Sequence, residues 1–353
     1  MIQWLEDIPC LLFKRRLLLV NLIDNVANII NKHRLGSITD IASVNEFPTI
    51  GSDGIYKAET SYGKFTIKFM NDLNKLAERA KYHKSLSSFV SLSKLLIVGE
   101  GYMVFEFVEG SSLLHLLLNS DGKDFQYYKK GLELLSELWS KTNGCKKQLR
   151  NCSELEGGEK FVMEFLNGEE SLPIIINNEN SQVNLRTVFD NTIRQMKKAE
   201  TYCLAHGDAH LDNFIVGNDG KLYLIDLRPG FCWIDDLVVY TWQKGFNFVK
   251  FLSAPSFENT GSALKIDYQF QRSNFIDEAE RMAIKVAKGF AKNIGFTEWQ
   301  SRYYYIKTWA ALCEIAGVQK RRRVNALCRD IPETSEYFWI AEAVNNFILA
   351  NIK

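Results

Sequence analysis

Leu204-Ala205-His206-Gly207-Asp208-Ala209-His210-Leu211-Asp212-Asn213-Phe214-Ile215-Val216 runs through Gly217-Asn218-Asp219-Gly220 into Lys221-Leu222-Tyr223-Leu224-Ile225-Asp226. The chain has 5 histidines, and two of them fall here within five residues. The Gly-Asn-Asp-Gly segment reads as the turn of a hairpin between two short apolar strands. If Val216 pairs with Lys221, Asn213 lies opposite Leu224 and Asp226 falls just beyond it. The hairpin then brings Asn213 and Asp226 to one end, beside the loop that carries Asp208. An amide and a carboxylate converging in this way suit a hard, oxygen-liganded cation such as Mg²⁺, and a second carboxylate is left to take a proton from a hydroxyl.

Upstream, residues 50–70 change character. Gly51-Ser52-Asp53-Gly54 interrupts a stretch that resumes at Ile55–Glu59. Ser61-Tyr62-Gly63 then turns into a strand where Phe65, Ile67 and Phe69 alternate with Thr66 and Lys68. Asn71 or Asp72 can cap a helix reaching about Ser88, with Glu78 on its second turn. A further hairpin spans Leu95–Val98 and Tyr102–Val108. Beyond Gly110 the periodicity predicts helices over about 112–119, 125–141, 159–168, 184–200, 235–252, 275–293, 297–318 and 335–351, broken only by the hairpin near 213–226. An earlier helix is predicted over residues 9–34.

These features in this order resemble the aminoglycoside phosphotransferase and choline kinase family, small-molecule kinases with a protein-kinase-like fold. His206-Gly207-Asp208-x-His210-x-x-Asn213, followed by an apolar strand ending in Asp226, matches that family's Brenner-type signature. The resemblance implies Asp208 as catalytic base, with Asn213 and Asp226 holding Mg²⁺ on the phosphates of ATP or, alternatively, GTP. It implies Lys68 on the phosphates with Glu78 as its ion-pair partner. Met103–Gly110 resembles the segment joining the lobes, so the backbone of Glu106 and Val108 is expected to meet the adenine, and Ser52 the phosphates. His206 and His210 are expected to shape the loop, and Asp236 to brace it. The match covers about residues 50–240.

The implied architecture is α+β and bilobal: a helical extension over 1–44, a small antiparallel β-rich N-lobe over 45–108, and a larger helical C-lobe over 109–353. One departure stands out. Where the family continues with an aromatic and an acidic residue after Asp226, this chain has Leu227-Arg228-Pro229-Gly230. Three roles are open to Arg228: holding a phosphate, binding an anionic substrate, or pairing with Asp235. A rival reading makes His206 and His210 ligands of a metallohydrolase, but a His pair at that spacing needs a helix, and Gly207 argues for a loop.

Composition narrows the function. The 353 residues carry 43 Lys and Arg against 42 Asp and Glu, a net charge of +1, which argues against a general nucleic-acid binder. With 46% hydrophobic residues, including 23 Phe, the chain can bury a large core. Its 7 cysteines form no Cys-x-x-Cys pair, so reduced thiols in a cytoplasmic protein are expected rather than a disulfide framework. No apolar run is long enough for a membrane helix. Residues 235–353 hold 16 Lys and Arg against 13 Asp and Glu, and Lys320-Arg321-Arg322-Arg323 adds a basic run. That surplus favours a neutral or anionic sugar- or polyol-type hydroxyl acceptor over a polycationic aminoglycoside. Tyr303-Tyr304-Tyr305 and Trp309 either line such a site or belong to the core. A protein or large-glycan acceptor, a nucleotide-binding regulator and nucleotidyl transfer remain as alternatives.

Overall fold

The structure, a computed structural model, describes residues 23–44, 54–120, 125–144, 152–165, 171–197, 203–230, 232–241, 249–251, 256–267, 269–272, 274–324 and 333–352. Two compact units emerge, one made of residues 1–110 with 217–225, the other of 111–216 with 226–353.

The first unit is built on a five-stranded antiparallel sheet in the order β1-β2-β3-β5-β4, from β1 (Ile38–Ser43), β2 (Gly54–Thr60), β3 (Gly63–Phe69), β4 (Leu95–Gly99) and β5 (Tyr102–Glu106). Alternation along β3 sends Phe65 and Ile67 to one face, where they pack with Tyr56, Ala58, Tyr102 and Val104. Val26, Ile29 and Ile30 of α1 (residues 23–32) close that face. On the other side Met70 and Met103 pack against Leu76 and Ala80 of α2 (Leu73–Leu86). Asp72 caps α2, its Oδ1 accepting from the N–H groups of Asn74 and Lys75 at 3.1 and 3.0 Å.

Residues 23–43 belong to the sheet unit, because β1 pairs with β2 and α1 fills its core. The rest of the helix expected from residue 9 lies outside the described residues. The tip of the 213–226 hairpin also joins this unit: Leu224 N–H donates to Ser91 O at 3.0 Å and Asn218 N–H to Glu109 O at 2.9 Å.

A short strand β6 (Gly110–Ser112) leads into the second unit, which is mainly helical: α3 (Leu113–Asn119), α4 (Phe125–Lys141), α5 (Cys152–Phe165) and α6 (Leu185–Met196). The hairpin follows, with strands β9 (Phe214–Gly217) and β10 (Leu222–Leu224). Then come α7 (Trp233–Thr241), α8 (Asn274–Ile294), α9 (Trp299–Val324) and α10 (Glu333–Asn351). Along α9, Tyr303, Tyr305, Ile306, Leu312 and Ile315 are all buried, so these tyrosines serve the core. Trp309 of α9 stacks at a tilt against Phe189 of α6.

Strands absent from the sequence reading form a four-stranded sheet in this unit. Its order is β12-β13-β7-β8, from β7 (Pro173–Ile176), β8 (Glu179–Asn184), β12 (Ser256–Asn259) and β13 (Leu264–Asp267), with β13 and β7 parallel. A further antiparallel pair joins β11 (Val249–Phe251) to β14 (Phe270–Arg272). No helix among the described residues is long and apolar enough to cross a membrane.

Candidate active site

In the second unit, the loop from Leu204 to Asn213 is held by buried partners. Asp236, on the first turn of α7, has no exposed surface. Its Oδ2 accepts from His206 N–H at 2.7 Å and Trp139 Nε1 at 3.1 Å, and its Oδ1 from Gly207 N–H at 2.7 Å. Burial pushes its carboxyl up to about 7, against the pull of those three donors. Leu204 N–H donates to the buried Thr142 hydroxyl at 2.9 Å. Trp139 and Thr142 were not legible as loop partners, since nothing but the register of α4 aims them there.

Gly207 takes φ +82°, and a Cβ on it would lie 1.8 Å from the Arg228 carbonyl oxygen. Only glycine allows this approach. The neighbouring N–H of Arg228 donates to His206 O at 2.9 Å, so the stretch after Asp226 is tied along the loop.

On this frame the signature side chains converge. Asp208 is mostly buried, with 16% of its side chain exposed. His206 is fully buried, stacks on Phe214 with 5.8 Å between ring centroids, and accepts from Asp208 N–H at Nδ1. Asn213 is buried at the end of a 3₁₀ turn over Leu211–Asn213, and its Nδ2 donates to Asp208 O at 2.8 Å. The same Nδ2 lies 3.1 Å from His210 Nε2. Asp226 sits at φ +54°, a left-handed conformation that carboxylate and amide residues adopt more readily than others and that clusters at functional sites. Asp212 is half exposed and accepts from the Ser112 hydroxyl at 3.2 Å. His206 and His210 lie on no helix.

Arg228 completes the cluster. Its Nη2 lies 2.7 Å from Asp208 Oδ2 and 3.9 Å from Asp226 Oδ2. Of the three roles open to it, pairing was expected with Asp235, whose Oδ2 instead accepts from Cys232 N–H at 2.7 Å. The reason is positional: Gly207 brings the Arg228 backbone against the loop, so its side chain meets the loop's own carboxylate.

In the first unit, Lys68 is 6% exposed and sits opposite Ile55 and Met103, on the sheet face that receives α2. Glu78 is not brought to it. The inward residues of α2 are Leu76, Arg79, Ala80, His83 and Leu86, and Glu78 lies two positions after Leu76, on the opposite, exposed side. Among the described residues Glu78 makes no ion pair. Glu106 is exposed, its N–H donating to Lys94 O at 2.9 Å, whereas the Val108 N–H has no partner among the described residues. Ser52 lies outside the described residues, in the segment joining β1 to β2, and the side chains of Lys320–Arg323 lie outside them as well.

The donor set fits a magnesium ion shared with phosphates. Asn213 spends its amide nitrogen inside the loop, and its Oδ1 accepts no hydrogen bond among the described residues. That oxygen and the Asp226 carboxylate are hard oxygen donors, of the kind and number that a phosphate-bound Mg²⁺ would take from protein. No group of three His, Cys, Asp or Glu side chains among the described residues is arranged to hold a metal by itself.

The chain thus has the kinase-like fold of choline kinases and aminoglycoside phosphotransferases. No protein-family model matches it, and no curated protein matches it. Among solved structures it is similar to a choline kinase from Streptococcus pneumoniae, with a TM-score of 0.53 and 13% identity over 93% of this chain and 99% of that one. It is also similar to a spectinomycin phosphotransferase in complex with ADP and spectinomycin, with a TM-score of 0.51 and 15% identity over 92% of this chain and 98% of that one.

Proposed function

We propose that this protein is a phosphotransferase that moves the γ-phosphoryl group of ATP to a hydroxyl of a small molecule. The observation that carries this reading is the convergence of Asp208, Asn213, Asp226 and Arg228 on one braced loop, in a fold shared with choline kinase and spectinomycin phosphotransferase. In the proposed reaction the acceptor oxygen bonds to the γ-phosphorus. The bond from that phosphorus to the β,γ-bridging oxygen breaks, and ADP leaves with the electron pair. Asp208 takes the hydroxyl proton.

Asn213 and Asp226 would hold Mg²⁺, which neutralises charge on the phosphates when bound. Lys68 would orient the phosphates, and the Val108 N–H, which has no partner among the described residues, would meet the adenine. His206, His210 and Asp236 hold the loop in shape and take no proton in the reaction. The acceptor is neutral or anionic in this reading. The Arg228 cation against Asp208 repels a polycation, and the positive surplus over residues 235–353 acts in the same sense.

The test is Mg²⁺-dependent ATP turnover with pooled sugars, polyols, amino alcohols and aminoglycosides, read by mass spectrometry of the acceptor. A phosphorylated sugar or polyol, lost in Asp208→Asn while nucleotide binding persists, is the expected result. Equal turnover in Asp208→Asn would overturn the assignment. An adenylylated product would mean nucleotidyl transfer instead.

A further inference from the structure

Arg228 is placed between the two carboxylates that the proposed reaction uses at opposite ends of the transfer, Asp208 at the acceptor hydroxyl and Asp226 at the metal-bound phosphates. One nitrogen, Nη2, approaches both, at 2.7 and 3.9 Å. Its Nε is buried and has no acceptor among the described residues. A buried N–H donor without an acceptor is costly, so this nitrogen has a hydrogen bond left to give to an anion. The backbone at this position is fixed against the loop by the Gly207 approach and by the bond to His206 O, so the guanidinium is presented from a rigid base.

Among the described residues, the other basic group within 4 Å of Asp208 is His210, at 3.7 Å. Its Nε2 also lies 3.1 Å from the Asn213 amide nitrogen, which ties the imidazole to the loop. Arg228 is the nearer of the two, its Nη2 at 2.7 Å from Asp208 Oδ2.

We infer that Arg228 is a catalytic residue that donates to the equatorial oxygens of the phosphoryl group in flight, from within the chain. A planar fork of donors matches a planar, three-oxygen group, and its charge is worth most when the phosphoryl group is loosened from both neighbours. Nη2 stays beside Asp208 Oδ2 while Oδ1 serves the hydroxyl. The inference rests on the phosphotransferase reading, but its test needs no acceptor.

The experiment measures ADP affinity with Mg²⁺, in the presence and absence of aluminium fluoride, which with ADP mimics the phosphoryl group in flight. In the wild-type protein aluminium fluoride should tighten ADP binding by about a hundredfold or more, as expected of transition-state mimics. In Arg228→Gln, ADP alone should bind as in the wild type, and the tightening should shrink to about twofold or less. Arg228→Lys, which keeps the charge without the fork, should fall between and guards against a misfolded glutamine variant. Full tightening in Arg228→Gln, or none in the wild type, would overturn the inference and leave the phosphotransferase reading standing. A wild-type protein that binds no Mg²⁺ and ADP at all would overturn both.

Discussion

Gly207 and Arg228 touch through their backbones, so closely that a Cβ on Gly207 would lie 1.8 Å from the Arg228 carbonyl oxygen. Two penalties therefore fall on Gly207→Ala: the left-handed φ of +82° and displacement of a backbone that cannot rotate aside. The variant should lose roughly 3 kcal/mol of stability or more and all transferase activity. Chemical unfolding checks the first, and ATP turnover the second. A variant as stable and active as the wild type would mean that the loop and the stretch after Asp226 are not held together.

Asp236 makes the loop's stability depend on pH. Burial lifts its carboxyl from the ordinary 3.8 to about 7. Between those values the folded chain keeps a proton that the unfolded chain has released, so folding binds protons and this group's contribution to stability falls as pH rises. The fall runs from about pH 4 to about pH 7 and is level above, where both states are ionised. Asparagine does not titrate. The stability of the wild type relative to Asp236→Asn should therefore decline from about pH 5 to about pH 7 and then hold constant. Urea unfolding across that range measures it, and a flat difference would contradict the raised carboxyl.

What the sequence made legible was whatever local chemistry dictates. The loop motif, the Gly217–Gly220 turn, whose ends bond from Gly217 N–H to Lys221 O at 2.8 Å, and the alternating β3 strand follow from spacing alone. Most helices beyond residue 110 follow from periodicity. The rest depends on partners distant in sequence. Strand β1 lies on the sheet edge, half exposed, and shows no alternation to read. Arg228 pairs with Asp208 because of a glycine some twenty residues earlier. On α2, the face that turns inward is chosen by Leu76, Ala80 and Leu86, and that choice turns Glu78 outward.

That helix face yields a quantitative expectation. Lys68 is buried on the sheet and Glu78 is exposed on the far side of α2. A double-mutant cycle on Lys68→Ala and Glu78→Ala, read as ATP affinity, should give a coupling energy below about 0.5 kcal/mol, the range of non-interacting sites. A coupling of about 2 kcal/mol would show that the pair forms once nucleotide is bound.

The unanticipated sheet can be tested at its turn. Ile176 pairs with Glu179 across Asn177 and Asn178, whose φ values are +50° and +64°. A two-residue loop with both residues left-handed is the turn that matches the twist of paired strands, and asparagine followed by glycine suits it best. Ile174–Ile176 ahead of two asparagines is the signal that the sequence offers for this hairpin. Asn178→Gly should therefore leave stability unchanged or raise it by a few tenths of a kcal/mol, whereas Asn178→Ala should cost about 1 kcal/mol. Thermal unfolding of the two variants side by side measures the difference. If alanine is tolerated as well as glycine, this segment is not turning through left-handed residues, and the pairing of β7 with β8 is wrong.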